Sequence, residues 1–185
     1  MIPATEMKLR EAKFFFALLH ETGHRIVRNE PEAFAFYLNA FLSAARAVTF
    51  ALQFEDKTNY DIWFTPWSKT RTEKERELMG FMRIQRNFTE KRGSPEFTAD
   101  DYEWIPITEI SSDAQRRHPA YGFHWFGAPW REGGQVARTV YKFAEFSGDQ
   151  KEVTSVCRQY LDILDALVKD FVSWRQASTG GATVG

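Results

Sequence analysis

Arginine, asparagine and lysine side chains recur at helical spacing near the middle of the chain, and such a set can bind phosphate. They occupy three- and four-residue steps on one face of a predicted helix, namely Arg83, Arg86, Asn87 and Glu90, with Lys91 directly after them. Guanidinium groups bind phosphate oxygens, and an amide can bind base edges or sugar hydroxyls. The alternative is a solvated face, because Arg and Glu at this spacing usually face water.

Arg46 is a second candidate for binding an anion, because nearly all its neighbours along the chain are apolar. With Asn39 and Ser43 it forms a polar stripe on its own helix. A charge in such surroundings is paired with a carboxylate or faces a partner. If the helices that carry Arg46 and Arg86 pack side by side, the two polar stripes meet in one groove. The alternative is a purely structural ion pair at Arg46.

The segment His20-Glu21-Thr22-Gly23-His24 matches the H-E-x-x-H pattern of zinc hydrolases. On a helix this spacing places both imidazoles on one face for zinc, with Glu21 as the general base. A third ligand would come from Glu30 or Glu32.

Three features weigh against a zinc site. The motif lies too near the N-terminus for a preceding sheet, Gly23 favours the end of a helix, and Arg25 and Arg28 add positive charge. We therefore expect neither a metal nor another cofactor, and we keep a zinc-dependent hydrolase or protease as an alternative.

Four amphipathic helices are predicted to position these residues, over about Thr5–Glu21, from Pro31 through Leu52, over Thr72–Glu90, and after Gly148 through Trp174. Two of them carry apolar residues in alternating four- and three-residue steps, which is typical of a bundle seam. The seams are Phe34, Leu38, Phe41, Ala45, Val48 and Leu52, and Val153, Cys157, Tyr160, Leu164, Leu167, Phe171 and Trp174. Cys157 therefore reads as a buried apolar residue rather than a reactive thiol.

A β-containing insert is predicted between the third and fourth helices, over about residues 95–146. Tyr121–Trp125 and Thr139–Phe143 alternate as strands do, and Trp104–Ile107 reads as an edge strand. Basic and aromatic residues alternate over Arg116–Phe126, a pattern of stacking platforms for single-stranded nucleic acid and also of strands that cap a bundle. The segment Trp63–Trp67 reads as a loop. The prediction is a mainly α fold, an up-and-down four-helix bundle with a small hairpin-containing insert.

Length and composition predict one domain over residues 1–176, followed by a flexible tail over 177–185. An apolar content of 43% supplies a packed core, and a net charge of −1 means that any nucleic acid binds through a local patch. The single Cys157 excludes an internal disulfide framework. The start of the chain lacks the pattern of a secretory signal, and no apolar run reaches the length of a membrane span, so we expect a cytoplasmic protein without membrane contact.

The helical part of the chain resembles the HEPN superfamily. Phe36–Phe50 looks like the second helix of HEPN bundles, and Arg86-Asn87 looks like the start of their Arg-Asn-x-x-x-His motif. The resemblance covers about Ala12–Glu90 and Val153–Trp174 and omits the insert. It implies that Arg and His from two subunits would face each other across a dimer interface and cut RNA without a metal. Lys91 stands at the His position, and a lysine is protonated at neutral pH and is a poor general base.

The sequence therefore favours a binding protein over an enzyme, without deciding between them. We expect a HEPN-like homodimer, non-catalytic or weakly catalytic, that binds RNA, a nucleotide or another anionic partner. The expected binding residues are Arg46, Arg83, Arg86, Asn87 and Lys91. A purely structural oligomerisation module is the remaining alternative.

Overall fold

The protein is mainly helical, with a small antiparallel sheet, in a computed structural model that describes residues 2–25, 30–93, 95–106, 131–132, 135–146, 148 and 151–180. The described helices are α1 (Pro3–Gly23), α2 (Pro31–Glu55), α3 (Lys57–Thr70), α4 (Glu73–Arg92) and α5 (Val153–Gly180). The strands are β1 (Phe97–Pro106), β2 (Arg131–Glu132) and β3 (Gln135–Phe143). The predicted mainly α class is confirmed. The described part of the chain contains five helices rather than four, so the up-and-down four-helix arrangement stays a prediction.

The helices α1 and α2 pack against each other along their apolar faces. All six residues of the predicted α2 seam are buried, so that prediction is confirmed. The Glu55 carboxylate at the end of α2 accepts hydrogen bonds from the backbone N–H groups of Ala4 and Thr5 at 2.8 and 2.9 Å. A carboxylate at a helix N-terminus satisfies free donors and complements the helix dipole. Glu55 therefore joins the end of α2 to the start of α1.

The segment Trp63–Trp67 is helical, so the prediction of a loop there was wrong. Tyr60, Trp63 and Trp67 lie three and four residues apart on α3 and are all buried. Pro66 lies inside this helix, where a proline costs about 3 kcal/mol or more. Burial of each tryptophan contributes about 4 kcal/mol or more. Trp67 also donates from Nε1 to Asp170 at 2.9 Å, and these gains exceed the cost of the proline.

The helix α4 begins and ends with local signals in the sequence. Thr72 and Glu75 form a capping box, in which the Thr72 hydroxyl accepts from the Glu75 N–H at 3.2 Å. Gly93 ends the helix with a φ of 82°, a left-handed conformation that favours glycine. The helix over Glu73–Arg92 thus contains nearly all of the predicted Thr72–Glu90 helix. Gly23 also stands at a helix end, but its φ is not positive. A Cβ there would lie 2.9 Å from the Phe34 ring, so close packing requires this glycine.

The helix α5 carries the second predicted seam. The residues from Val153 to Phe171 in that seam are buried, including Cys157, and Trp174 is half-buried. The helix starts at Val153, a few residues later than the predicted start after Gly148. At the other end, α5 extends to Gly180, so residues 177–180 of the predicted tail are helical. The last five residues of that tail lie outside the described part of the chain.

The sheet has the order β1-β3-β2, with antiparallel pairing. Strand β3 contains the predicted Thr139–Phe143 strand, and β1 ends with Trp104–Pro106 at the predicted edge. The Arg116–Phe126 run, including the predicted strand Tyr121–Trp125, lies outside the described residues. Phe143 and Tyr141 of β3 are buried against the helices, so the described sheet packs on the helical core.

The helix α2 is the one candidate for a membrane span among the described residues, by length and composition alone. Its buried residues include Phe34, Phe41 and Leu52, which form part of the core. A core helix meets the same criterion, so the composition of α2 is weak support for a membrane contact.

Candidate functional site

A cleft of about 750 Å³ lies between four helices and collects side chains from all of them. Its lining includes Arg46 and Phe50 of α2, Tyr60 and Phe64 of α3, Arg76 and Arg83 of α4, and Tyr160 of α5. Its volume falls in the range of about 300–1,000 Å³ that is typical of ligand pockets. The helices α2 and α4 thus bring Arg46 and Arg83 to one groove.

Arg46 lies half-buried in the cleft without a carboxylate partner among the described residues. Its Nη1 donates to the Thr49 hydroxyl at 3.1 Å, and its guanidinium lies 4.1 Å from the centre of the Phe50 ring. These contacts orient the side chain but leave its charge without a counter-ion. The structural ion pair considered for Arg46 is therefore absent from the described part of the chain.

Two more arginines lie along α4 at the cleft. Arg83 is exposed, and no described residue forms a hydrogen bond or ion pair with it. Arg76 donates from Nη1 to the Arg71 carbonyl at 2.6 Å, which orients its side chain without neutralising it. Gly80 lies between them, and a Cβ built there meets nothing within 4 Å. The two cations therefore flank an open stretch of the α4 surface.

Two tyrosine hydroxyls add uncharged donors to the cleft. Tyr60 and Tyr160 are 8% and 7% exposed, and neither hydroxyl has a hydrogen-bond partner among the described side chains. Burial raises the pKa of each to about 12, although the nearby charge of Arg46 acts in the opposite direction. Both hydroxyls therefore stay protonated at neutral pH.

One carboxylate, Asp61, also lines the cleft. Lys57 binds it, and this hydrogen bond is the main reason that the pKa of Asp61 lies below its ordinary value. The negative charge of Asp61 is thus balanced by its own lysine. The three arginines consequently leave the cleft with an excess of positive charge, although the whole chain has a net charge of −1.

The other predicted binding residues lie outside this cleft, further along α4. Arg86 is half-buried and forms an ion pair with Glu90, and its Nη1 lies 3.5 Å from the Asn87 side-chain oxygen. The Arg86 Nε is buried without a partner in the described structure. Asn87 and Lys91 are exposed. The structure therefore brings Arg46 and Arg83 together in the cleft, and it leaves Arg86, Asn87 and Lys91 further along α4, beyond the cleft lining.

The two histidines of the H-E-x-x-H segment lie side by side at the end of α1. Their rings stack with centroids 3.9 Å apart, and His24 Nδ1 donates to the His20 carbonyl at 2.8 Å. Burial, and then the charge of neighbouring cations, lowers the pKa of His20. Glu21 and Glu30 both pair with Arg25. No described group of three His, Cys, Asp or Glu residues is arranged to hold a metal ion, so the zinc alternative lacks its third ligand there.

Sequence reasoning missed the residues that α3 and α5 contribute to the cleft. Tyr60 belongs to α3, which was not predicted as a helix because Pro66 lies inside it. The spacing of Tyr60, Trp63 and Trp67 is nevertheless helical. Tyr160 was assigned to the apolar seam, and hydrophobic periodicity does not reveal where a hydroxyl points. The interleaved basic and aromatic residues of the insert cannot be related to the cleft, because Arg116–Phe126 lie outside the described residues.

Comparison with known proteins gives one family. The family model described as bacteriophage lambda protein ea47 matches residues 8–99, just under half of the chain. The matched segment runs from α1 into β1 and contains Arg46, Tyr60 and Arg83, whereas Tyr160 lies beyond it. No curated protein and no solved structure matches the chain. The similarity therefore covers the part of the chain that contributes most of the cleft.

Proposed function

We propose that this chain is a helical RNA-binding protein, non-catalytic or weakly catalytic, that holds phosphate groups of a single strand in the cleft. The observation that carries the proposal is the half-buried Arg46, which faces the cleft with no carboxylate within ion-pairing distance in the described structure. A guanidinium in this setting gains most from an anion that enters from outside. Arg83 supplies a second free cation from α4.

RNA is the anion that suits the other walls of the cleft. Phe50 is 47% exposed, and Phe64 stacks on Tyr60 with ring centroids 4.9 Å apart. Aromatic rings beside guanidinium groups form stacking platforms for unpaired bases. The protein lacks the strong net positive charge that would attract a long duplex. A short single-stranded segment therefore fits the cleft better than double-stranded nucleic acid.

A HEPN-like homodimer and membership of the ea47 family are part of the same proposal. The match over residues 8–99 supports the family. In a HEPN-like dimer, Arg86, Asn87 and Lys91 would extend the RNA surface beyond the cleft. Asn87 and Lys91 are exposed, so their side chains are accessible to a strand. Light scattering with calibrated gel filtration tests the dimer, and a strictly monomeric protein at micromolar concentration would contradict it.

Binding of a fluorescently labelled single-stranded RNA, followed by anisotropy over a range of salt concentrations, tests the proposal. Arg46→Gln and Arg83→Gln should each weaken binding and reduce the salt dependence of log K by about 0.7 for each lost phosphate contact. Arg10→Gln is the matched control, because Arg10 is exposed on α1 away from the cleft. Unchanged binding in both cleft variants would reject the site.

The same assay measures separately the contribution of the α4 residues beyond the cleft, Arg86, Asn87 and Lys91. Arg86→Ala should weaken RNA binding without lowering the midpoint of thermal unfolding by more than a few degrees, since its ion pair with Glu90 is partly exposed. Absence of RNA binding to the unmodified protein at low salt would favour the alternative of a structural oligomerisation module.

A further inference from the structure

We infer that the cleft receives a terminal nucleotide phosphate, a phosphomonoester, which Arg46 and the hydroxyls of Tyr60 and Tyr160 bind. This inference rests on the proposed function and adds which part of the nucleic acid enters the cleft. The source of the phosphomonoester is either the phosphorylated end of an RNA strand or a free nucleotide.

The donors of Arg46, Tyr60 and Tyr160 in the cleft match the acceptors of a terminal phosphate. The Tyr60 and Tyr160 side chains are more than nine-tenths buried, and neither hydroxyl has a partner among the described residues. Arg46 lines the same cleft as both tyrosines, and its positive charge opposes the rise in the pKa of each hydroxyl that burial causes. A phosphomonoester offers three free oxygens and up to two negative charges, whereas an internal phosphodiester offers two free oxygens and one charge.

The low exposure of the two tyrosines also favours a chain end. A phosphate in the middle of a strand carries nucleotides on both sides, so both flanks must enter the cleft when it reaches these side chains. A terminal phosphate carries a nucleotide on one side only. The exposed Arg83 and Arg76 lie on the α4 wall, where they are available to a phosphate further along the strand.

The aromatic side chains that line the cleft can stack on the nucleobase of the same nucleotide. Phe50 and Phe64 line the cleft with Tyr60, and the Arg46 guanidinium lies over the Phe50 ring at 4.1 Å. A base that enters beside these rings stacks without a strong sequence preference, because every base has a π-face. We therefore expect recognition of the phosphorylated end rather than of a particular base.

The experiment compares two RNA oligonucleotides of identical sequence, one with a 5′-phosphate and one with a 5′-hydroxyl, together with AMP and UMP. The phosphorylated strand should bind about tenfold or more tightly than the hydroxyl strand, because charged hydrogen bonds are lost with the phosphate. Tyr60→Phe and Tyr160→Phe should reduce this preference, since each removes only a hydroxyl and keeps the ring in the core.

Tyr102→Phe is the matched control, because Tyr102 is 63% exposed on β1 and does not line the cleft. Equal affinity for the two strand ends would overturn the inference and leave the proposed function intact. Binding of AMP and UMP without RNA binding would retain the phosphomonoester site and overturn the RNA proposal. If no strand and no nucleotide binds, both proposals fail.

Discussion

Replacement of Arg138 by methionine is expected to destabilise the protein by about 3–5 kcal/mol at neutral pH, the range for breaking a buried ion pair. Arg138 on β3 is almost fully buried and binds two carboxylates. Its Nη1 lies 3.1 Å from Glu152 Oε1, its Nε lies 2.9 Å from Glu103 Oε2, and the Gly23 carbonyl accepts from Nη1 at 3.4 Å. The cluster therefore links the end of α1, the sheet and the start of α5.

The two carboxylates should contribute unequally to that loss. The side chain of Glu152 is 17% exposed, whereas that of Glu103 is 54% exposed. Removal of Arg138 leaves the Glu152 charge largely buried, with hydroxyl donors from Thr154 and Ser155. The exposed Glu103 pair is screened by water and contributes about 1 kcal/mol or less. Glu103→Gln alone is therefore a mild change.

The pH dependence of the free energy of unfolding tests independently whether the Arg138–Glu152 ion pair stabilises the fold. Burial alone would raise the pKa of Glu152, but the charge and hydrogen bond of Arg138, with the two hydroxyls, bring that pKa below its ordinary value. In the unmodified protein this contribution is present above the ordinary glutamate range and is lost as the pH falls through the lowered pKa. Without Arg138, burial dominates and the pKa should rise, so the variant regains stability as Glu152 protonates. The difference between the two proteins should shrink between pH 7 and about pH 4.

Urea unfolding followed by tryptophan fluorescence at both pH values measures these differences. The double variant Arg138→Met with Glu152→Gln should lose less stability than the sum of the single variants. With glutamine at position 152, removal of Arg138 no longer leaves a buried carboxylate without its cation. A loss under about 1 kcal/mol for Arg138→Met at pH 7, or a loss that does not shrink in acid, would refute the reasoning.

Three further predictions concern local features of the helices. Gly80→Ala should stabilise the protein by about 0.5–1 kcal/mol, because the new Cβ meets nothing within 4 Å. Gly23→Ala should destabilise it by about 1–3 kcal/mol, because the new Cβ would lie 2.9 Å from the Phe34 ring. Urea unfolding of both variants measures the two changes in stability. Thr72→Ala removes the capping box of α4 and should cost about 1 kcal/mol in the same measurement. Cys157 is fully buried and burial raises its thiol pKa well above the ordinary value, so a thiol reagent should label it only after unfolding; rapid labelling of the native protein would contradict this packing.

The sequence predicted the long seams because their burial pattern repeats over many residues. Phe34 through Leu52 on α2 and Val153 through Phe171 on α5 follow four- and three-residue steps, and they form the core. The same reasoning failed for α3, since Pro66 signalled a loop while buried aromatic residues on either side of it favour a helix. Tertiary packing there outweighs the local preference of one residue.

The candidate site could be predicted only in part. Arg46 was identified because a charge in an apolar helix needs a partner, and Arg83 because it shares a polar face with other cations. Their position in one cleft depends on how α2 and α4 pack, which periodicity does not specify. The buried ion pairs of Arg138 were not predicted, because the sequence around an arginine in a strand does not show whether its side chain is buried or solvated. Its partners Glu103 and Glu152 are 35 and 14 residues away along the chain.

Removal of the Arg46 charge should affect the stability of the fold and the affinity for RNA in different ways. A half-buried guanidinium without a carboxylate bears a desolvation cost, which the Thr49 hydroxyl and the Phe50 ring offset only in part. Methionine retains most of the apolar stem and removes the charge. We therefore expect Arg46→Met to leave the free energy of unfolding unchanged or slightly higher while RNA binding is weakened. Urea unfolding and RNA anisotropy on the same preparation measure the two effects. A destabilisation of more than about 2 kcal/mol would instead make Arg46 a structural residue, and the exposed Arg83 would then be the better marker of the binding surface.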